Sequence, residues 1–139
     1  MSRSGYSEDC DGLNLYRGAV ESAIRGKRGQ AFLRELVETL DAMPVKRLIT
    51  SELELGGEVC ALGSVGKRRG LALNDVDPYE GEEVAAKFGI APALAREIMW
   101  ENDEGTWSWP KETPEQRWIR MRDWAVRNLS VKQGGPDAE

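Results

Sequence analysis

The side chains that most often carry chemistry in proteins are scarce in this sequence. It has no histidine, so the commonest general base and the commonest zinc ligand are both missing. Its two cysteines, Cys10 and Cys60, are far apart along the chain, and we expect two free thiols rather than a disulfide or a metal site. A catalytic site would have to use carboxylates or a Ser–Lys pair, and no spacing indicates one. The sequence therefore predicts no enzymatic activity, no bound metal and no cofactor.

Phosphate binding is the next chemistry to consider, because residues 63–70, GSVGKRRG, combine glycines with basic residues. A nucleotide-binding loop needs the order Gly-x-x-x-x-Gly-Lys-Ser/Thr, in which backbone N–H groups surround the phosphates. This segment does not have that order. We therefore expect no nucleotide site.

Tryptophans and carboxylates mark a first candidate surface. All five tryptophans lie at or after position 100, and two of them share a polar loop with several acidic residues. An indole in such a loop either covers the core or contacts a partner, since tryptophan is enriched among the residues that dominate binding energy. The candidate partner-binding residues are Glu101, Asp103, Glu104, Trp107 and Trp109.

Basic residues mark an alternative surface. Two short clusters supply it, Arg25, Lys27 and Arg28 in the first and Lys67, Arg68 and Arg69 in the second. If the two segments converge in the fold, they would form one patch for an acidic protein or for nucleic acid. Convergence of two loops cannot be seen in a sequence, so this patch remains a hypothesis at this stage.

Residues 82–100 have the apolar pattern of a helix-turn-helix, with Gly89 at the turn. The alternative function is therefore a DNA-binding regulator, whose recognition helix would expose Ala93, Arg96 and Glu97. Its electrostatics oppose this, because residues 75–104 contain nine Asp and Glu against two Lys and Arg, a local net charge of −7. Such a surface repels phosphates. We expect a packed helical corner here, and a partner other than nucleic acid.

Helical periodicity accounts for most of the remaining chain. Residues 13–25 and 30–43 each carry an apolar stripe, and the glycine-containing segment RGKRG lies between them. Residues 114–129 form a further helix, with Thr113 as N-cap and Gln116 completing a capping box. This last helix is expected to expose Arg120, Asp123 and Arg127. Residues 48–66 fit either a small hairpin near 48–60 or two short helices, and composition favours helices.

The predicted architecture is an all-α domain of five to seven helices over residues 13–129. A flexible arm over residues 1–12 and a disordered tail over residues 130–139 would flank it. The chain has 139 residues and a net charge of −5, and no apolar run approaches the roughly 18 residues that a membrane span requires. The N-terminus has no apolar segment typical of a signal peptide. We therefore expect a cytoplasmic protein that does not associate with membranes.

Four blocks of the sequence, SAIRGKRGQAFLREL, GEVCALGSVG, FGIAPALAREIMWENDEG and ETPEQRWIRMRDWAV, resemble a family of small proteins encoded by bacteriophages and prophages. The resemblance covers residues 4–126, with the blocks in order. It implies an accessory protein that works in the cytoplasm of a bacterial host by binding a host or defence-system protein. Inhibition of a defence system, of the anti-CRISPR or another type, is the activity that this context suggests. The resemblance does not assign a catalytic or binding role to any residue of this sequence.

Overall fold

The helical spacing in the sequence corresponds to six α-helices in the computed structural model of the chain, which describes residues 10–106 and 110–130. They are α1 (Cys10–Arg25), α2 (Lys27–Ala42), α3 (Ala61–Arg69), α4 (Gly81–Phe88), α5 (Pro92–Glu104) and α6 (Pro114–Arg127). One antiparallel hairpin, β1 (Glu54–Leu55) with β2 (Glu58–Val59), completes the described elements. The prediction of a mainly α-helical fold is confirmed. Helix α1 already begins at Cys10, so the predicted arm is too long by three residues; residues 1–9 and 131–139 lie outside the described part.

Helices α1 and α2 meet at a sharper corner than the sequence predicts. Only Gly26 lies between them, and α2 begins at Lys27 rather than at position 30. Gly29, which the prediction placed in the loop, is buried inside the first turn of α2. Its Cα faces the backbone carbonyl of Ala23, where a Cβ would collide. The second glycine therefore permits close helix packing instead of ending a helix.

Within residues 48–60, residues 54–59 form the small hairpin that was the alternative to the favoured helix. Gly56 and Gly57 have φ values of 60° and 86°, the paired positive values that a two-residue hairpin turn requires. The backbone N–H of Cys60 donates to the carbonyl of Leu53 (3.2 Å), and that of Ile49 donates to the carbonyl of Val59 (2.9 Å). The helix prediction up to position 53 was wrong because consecutive glycines at positive φ outweigh the helical preference of the flanking residues.

Helix α3 is longer than expected and contains its basic residues. The buried Sγ of Cys60, a free thiol, accepts the N–H of Gly63 (3.4 Å) at the start of the helix. Gly70 ends the helix in the left-handed conformation, with φ 79°. Lys67, Arg68 and Arg69 thus occupy the last helical turn instead of a loop. Cations at this end offset the negative pole of the helix.

Helix α6 packs antiparallel on α2. At one end the side-chain amide of Gln30 donates to the carbonyl of Asn128 (3.0 Å), and at the other the indole N–H of Trp118 donates to the carbonyl of Leu40 (3.2 Å). The predicted capping box of Thr113 and Gln116 is confirmed, with both reciprocal hydrogen bonds formed. Satisfying two otherwise unpaired N–H groups explains why the start of α6 follows its sequence signal.

The core is one cluster to which helices α2 to α6 and the hairpin contribute. Its largest fully buried side chains include Leu33, Leu36, Leu40, Leu48, Leu53, Leu62, Leu94, Ile98, Met99 and Met121. Trp124 of α6 is also buried in it. Within the described residues, no helix combines the length and the apolar character needed to cross a membrane.

We expect Gly63→Ala to lower the free energy of unfolding by about 2–3 kcal/mol. A Cβ at position 63 would overlap the backbone carbonyl of Leu53, so α3 would have to move away from the hairpin. Gly18→Ala is the matched control, because position 18 has open space around it, and it should raise stability by about 0.5–1 kcal/mol. Urea denaturation followed by circular dichroism measures both; equal effects would contradict the packing argument.

Candidate functional site

The acidic candidate residues have unequal surroundings. Asp103 accepts hydrogen bonds from the backbone of Ser51 (3.1 Å) and the amide of Asn102 (2.9 Å). Glu101 is half-buried beside Arg120, and only Glu104 is exposed. Burial, together with the negative charge of Glu97, raises the pKa of Glu101. Two of the three carboxylates are therefore integrated into the fold and do not form an exposed rim. Trp107 and Trp109 lie outside the described residues.

Arg120 is the centre of the contacts around this end of α5. Its guanidinium donates to the carboxylate of Glu112 (2.7 and 3.0 Å) and to the backbone carbonyls of Glu101 (2.7 Å) and Asn102 (3.3 Å). The prediction that Arg120 faces water was wrong. A periodic pattern placed it on the polar face of α6 but could not show that this face meets the C-terminal end of α5. At this helix end Arg120 adds a donor to the carbonyl of Glu101, which also accepts the N–H of Gly105 (3.2 Å), and donates to the carbonyl of Asn102.

The helix-turn-helix segment is a packing corner. Gly89 adopts the left-handed conformation between α4 and α5, as the pattern predicts. However, only Pro92 and Glu104, the two ends of α5, are exposed. Glu97, expected on the outside, is 2% exposed and forms an ion pair with Arg17 (2.8 Å). A recognition helix needs an open face to enter a major groove, whereas the residues between the ends of α5 are partly or fully buried.

The two basic clusters are held in different places. Arg25 pairs with Glu21 (3.4 Å) at the end of α1, and Arg28 lies in the first turn of α2. Arg69 pairs instead with Glu35, farther along α2 (2.6 and 2.9 Å). Arg28 and Glu35 are seven residues apart in the helix, about 10 Å along its axis. The contact of Arg69 with α2 thus lies near the middle of that helix, away from the first cluster.

Arg69 acts as a structural connection between three helices. Besides pairing with Glu35, it donates to the carbonyl of Phe88 (3.1 Å), and its guanidinium carbon lies 5.6 Å and 6.0 Å from the ring centres of Phe32 and Phe88. The hydrogen bond from Arg69 lowers the pKa of Glu35, against the opposing effect of burial. These contacts join α2, α3 and α4, so Arg69 belongs to the framework and not to an open patch.

An open groove of about 490 Å³ lies between the C-terminal part of α2, the following loop, the hairpin and α3. We call it the α2–α3 groove; it is lined by Thr39, Ala42, Met43, Pro44, Val45, Arg47, Gly57, Glu58, Val59, Ser64, Lys67 and Arg68. Val45 is 61% exposed. Leu55, 64% exposed, is the cross-strand partner of Glu58, so it extends the apolar surface at the hairpin side.

Sequence reasoning identified only Lys67 and Arg68 among these lining residues. The others come from three separate segments, and no periodic pattern connects those segments. From the sequence, Pro44 indicates only that the helix ends before it, because proline disfavours helix in the preceding residue. One signal was available, since Pro44 and Val45 are apolar residues that continue no helical stripe.

The cations of the groove differ in their partners. Arg47 is paired with Glu58 (3.2 Å) and Glu115 (3.3 Å). Lys67 donates to the backbone carbonyl of Gly57 (3.1 Å), and Arg68 donates to the hydroxyl of Thr39 (3.2 Å). Both of these acceptors are neutral, and within the described residues neither cation is in an ion pair. The charges of Lys67 and Arg68 are therefore available to an anionic partner.

Comparison of the chain with protein-family models, with curated proteins and with solved structures finds no match. The function must therefore be inferred from the residues of the groove.

We expect neighbouring arginines of α3 to differ in their effect on stability. Arg69→Ala removes an ion pair, a hydrogen bond and two ring contacts, and should lower the free energy of unfolding by about 2 kcal/mol. Arg68→Ala removes one hydrogen bond to a hydroxyl, and should lower it by less than about 1 kcal/mol. Urea denaturation of the two variants tests this. If Arg68→Ala lowers the free energy of unfolding as much as Arg69→Ala does, both residues belong to the framework.

The Glu35–Arg69 pair should also be visible in the pH dependence of stability. Because the pKa of Glu35 is lowered in the folded state, the pair stabilises the fold above the unfolded-state pKa, near 4.3–4.5, and this contribution is lost as the pH falls through the lower folded value. The stability difference between the wild type and Glu35→Gln should therefore be largest at pH 7 and shrink towards pH 3. Glu38→Gln, at an exposed position of the same helix, is the control, and an equal pH-dependent change in that variant would contradict the assignment to the Glu35–Arg69 pair.

Proposed function

We propose that this chain is a non-catalytic protein-binding protein and that its binding surface is the α2–α3 groove. The observation that supports the proposal most directly is an open apolar groove beside two cations, Lys67 and Arg68, that hydrogen-bond only to neutral oxygens. Exposed apolar surface with a polar rim is typical of interaction sites. The absence of histidine from the sequence also favours binding over catalysis.

The shape of the groove favours a macromolecular partner over a small molecule. Its volume lies within the range of small-molecule sites, but such sites enclose most of their ligand. Half of the residues that line this groove are exposed, namely Ala42, Pro44, Val45, Gly57, Lys67 and Arg68. A ligand there would keep one side in water, as a segment of another protein does.

Electrostatics favour a protein over a nucleic acid. The chain carries a net charge of −5, and the affinity of DNA-binding proteins depends on many phosphate contacts that release counterions. The groove offers only two cations without carboxylate partners. Since the residues between the ends of α5 are partly or fully buried, the helix-turn-helix corner offers little further surface for a nucleic acid, and we do not propose DNA regulation.

For the biological role, we propose a bacteriophage or prophage accessory protein in the bacterial cytoplasm. Its partner would be a host or defence-system protein, which it would inhibit by occupying a surface, as an anti-CRISPR or another anti-defence protein does. The support for this context is the sequence resemblance described above. The groove supports inhibition by occupying a surface of the partner, because binding through a preformed groove needs no reactive side chain.

Site-specific photo-crosslinking tests the proposed binding surface. Benzoylphenylalanine in place of Val45 should crosslink to a partner polypeptide in a bacterial host, because the side chain at position 45 is exposed in the groove. The same group in place of Ile119, exposed on α6, is the control and should give no such product. Benzoylphenylalanine in place of Glu104, the exposed last residue of α5, tests the acidic candidate residues. Crosslinks from position 104 alone would place the interface at those residues instead of the groove.

A measurement of the dissociation constant with the purified partner then tests whether Val45 contributes to binding. Val45→Glu introduces a charge into the apolar part of the groove and should weaken binding at least tenfold, whereas Ile119→Glu should leave the dissociation constant unchanged. Melting temperatures of both variants establish that they fold. A folded Val45→Glu variant that binds as tightly as the wild type would refute the proposed function of the groove.

A further inference from the structure

The charges that line the α2–α3 groove oppose the charge of the whole protein. Three cations and one carboxylate line it, a net charge of +2, in a chain whose net charge is −5. Arg47 lies between Glu58 and Glu115, so its charge is balanced locally. The lining cations without an ion-pair partner among the described residues are therefore Lys67 and Arg68, which follow one another at the end of α3.

Both cations retain donors for an additional ligand. A lysine ammonium has three N–H donors and an arginine guanidinium has five. Among the described residues, Lys67 donates to one acceptor, the carbonyl of Gly57, and Arg68 donates to one, the hydroxyl of Thr39. An incoming anion can thus bind them without displacing either existing hydrogen bond. The existing bonds also hold the two side chains against α2 and the hairpin, which reduces the entropy cost of binding.

The apolar part of the groove adds a second requirement. Met43, Pro44 and Val45, with Val59 from the hairpin, contribute apolar groups beside these cations. Removing water from this apolar surface favours a ligand with an apolar side chain. A bare inorganic anion would leave this part of the groove filled with water.

We infer that the groove binds a short acidic segment of the partner protein; this inference rests on the proposed function. An apolar side chain of the segment fills the space beside Val45 and Val59. A neighbouring carboxylate of the segment pairs with Lys67 and Arg68. A carboxylate is favoured over a phosphate because only two cations are available, whereas phosphopeptide sites use clusters of arginines. The segment supplies apolar contact for affinity and charge for orientation.

Synthetic peptides test this chemistry directly. The probe is an acetylated and amidated hexapeptide, Gly-Asp-Leu-Glu-Asp-Gly, added to the ¹⁵N-labelled full-length chain. It should shift the backbone amide signals of Gly57, Val59 and Lys67 in a saturable manner. Replacing its leucine with alanine should weaken binding at least threefold, and replacing its three acidic residues with lysine should abolish it. Raising the salt concentration from 50 to 500 mM should weaken binding, because the pairing charges are near the surface.

Protein variants distinguish the groove from general electrostatic attraction. Lys67→Glu with Arg68→Glu should weaken peptide binding at least tenfold. Lys27→Glu with Arg28→Glu changes the net charge equally at exposed positions of α2 and should leave binding unchanged. If the first pair lowers the melting temperature markedly, Lys67→Gln with Arg68→Gln replaces it, and a smaller loss of affinity is expected. Equal losses in both pairs would overturn the inference.

The outcomes separate this inference from the proposed function. Tighter binding of the lysine peptide, or binding only of a phosphoserine peptide, would overturn the acidic-segment inference. Peptide-independent shifts that grow with protein concentration would identify a second copy of the chain as the occupant and overturn it too. If the acidic peptide shifts no groove signal at millimolar concentration while position 45 still crosslinks to a protein, the inference fails and the proposed function stands. If the peptide binds and position 45 crosslinks to nothing, the proposed function fails.

Discussion

The side-chain amide of Asn102 connects the segments that the rest of the structure is arranged around. It is fully buried on α5, where its oxygen accepts the N–H of Ala61 (3.0 Å) and its nitrogen donates to the carbonyl of Ile49 (2.8 Å). Ala61 is the first residue of α3, whose N–H has no partner within the helix. Ile49 in turn donates to Val59 of the hairpin. Because buried polar groups must be paired, this one amide determines where α3 and the hairpin lie relative to α5.

The groove follows from that arrangement. One wall is the end of α2 with its loop, and the opposite wall is the hairpin turn and α3. Gly63 allows the backbone of α3 to approach the carbonyl of Leu53 closely, and the buried thiol of Cys60 accepts an N–H at the same helix start. These contacts tie α3 to the hairpin as a unit. A preformed groove of this kind can bind a partner with little loss of conformational entropy.

Neighbouring residues of one basic cluster have separate roles because a helix turns by about 100° per residue. Arg69 points towards Glu35 and the rings of Phe32 and Phe88, and its charge is used within the fold. Arg68 points towards Thr39 at the edge of the groove, where its charge is not paired with a carboxylate. A cluster of three basic residues therefore contains both framework and binding groups. The same holds for the acidic region, where Glu97 and Asp103 are structural and Glu104 is exposed.

The sequence by itself determined the elements whose causes are local. The apolar stripes, the capping box of α6, Pro44 after α2 and the glycine at the α4–α5 turn all act within a few residues, so the helical fold could be predicted. Whether Gly29 breaks a helix or permits one to pack depends on Ala23 of the neighbouring helix. The burial of Glu97, the contacts of Arg120 and the distance between the basic clusters likewise depend on partners 18 to 80 residues away. The groove draws its residues from α2, a loop, the hairpin and α3, and only the tertiary structure decides that these segments meet, because long-range packing has no periodicity in sequence.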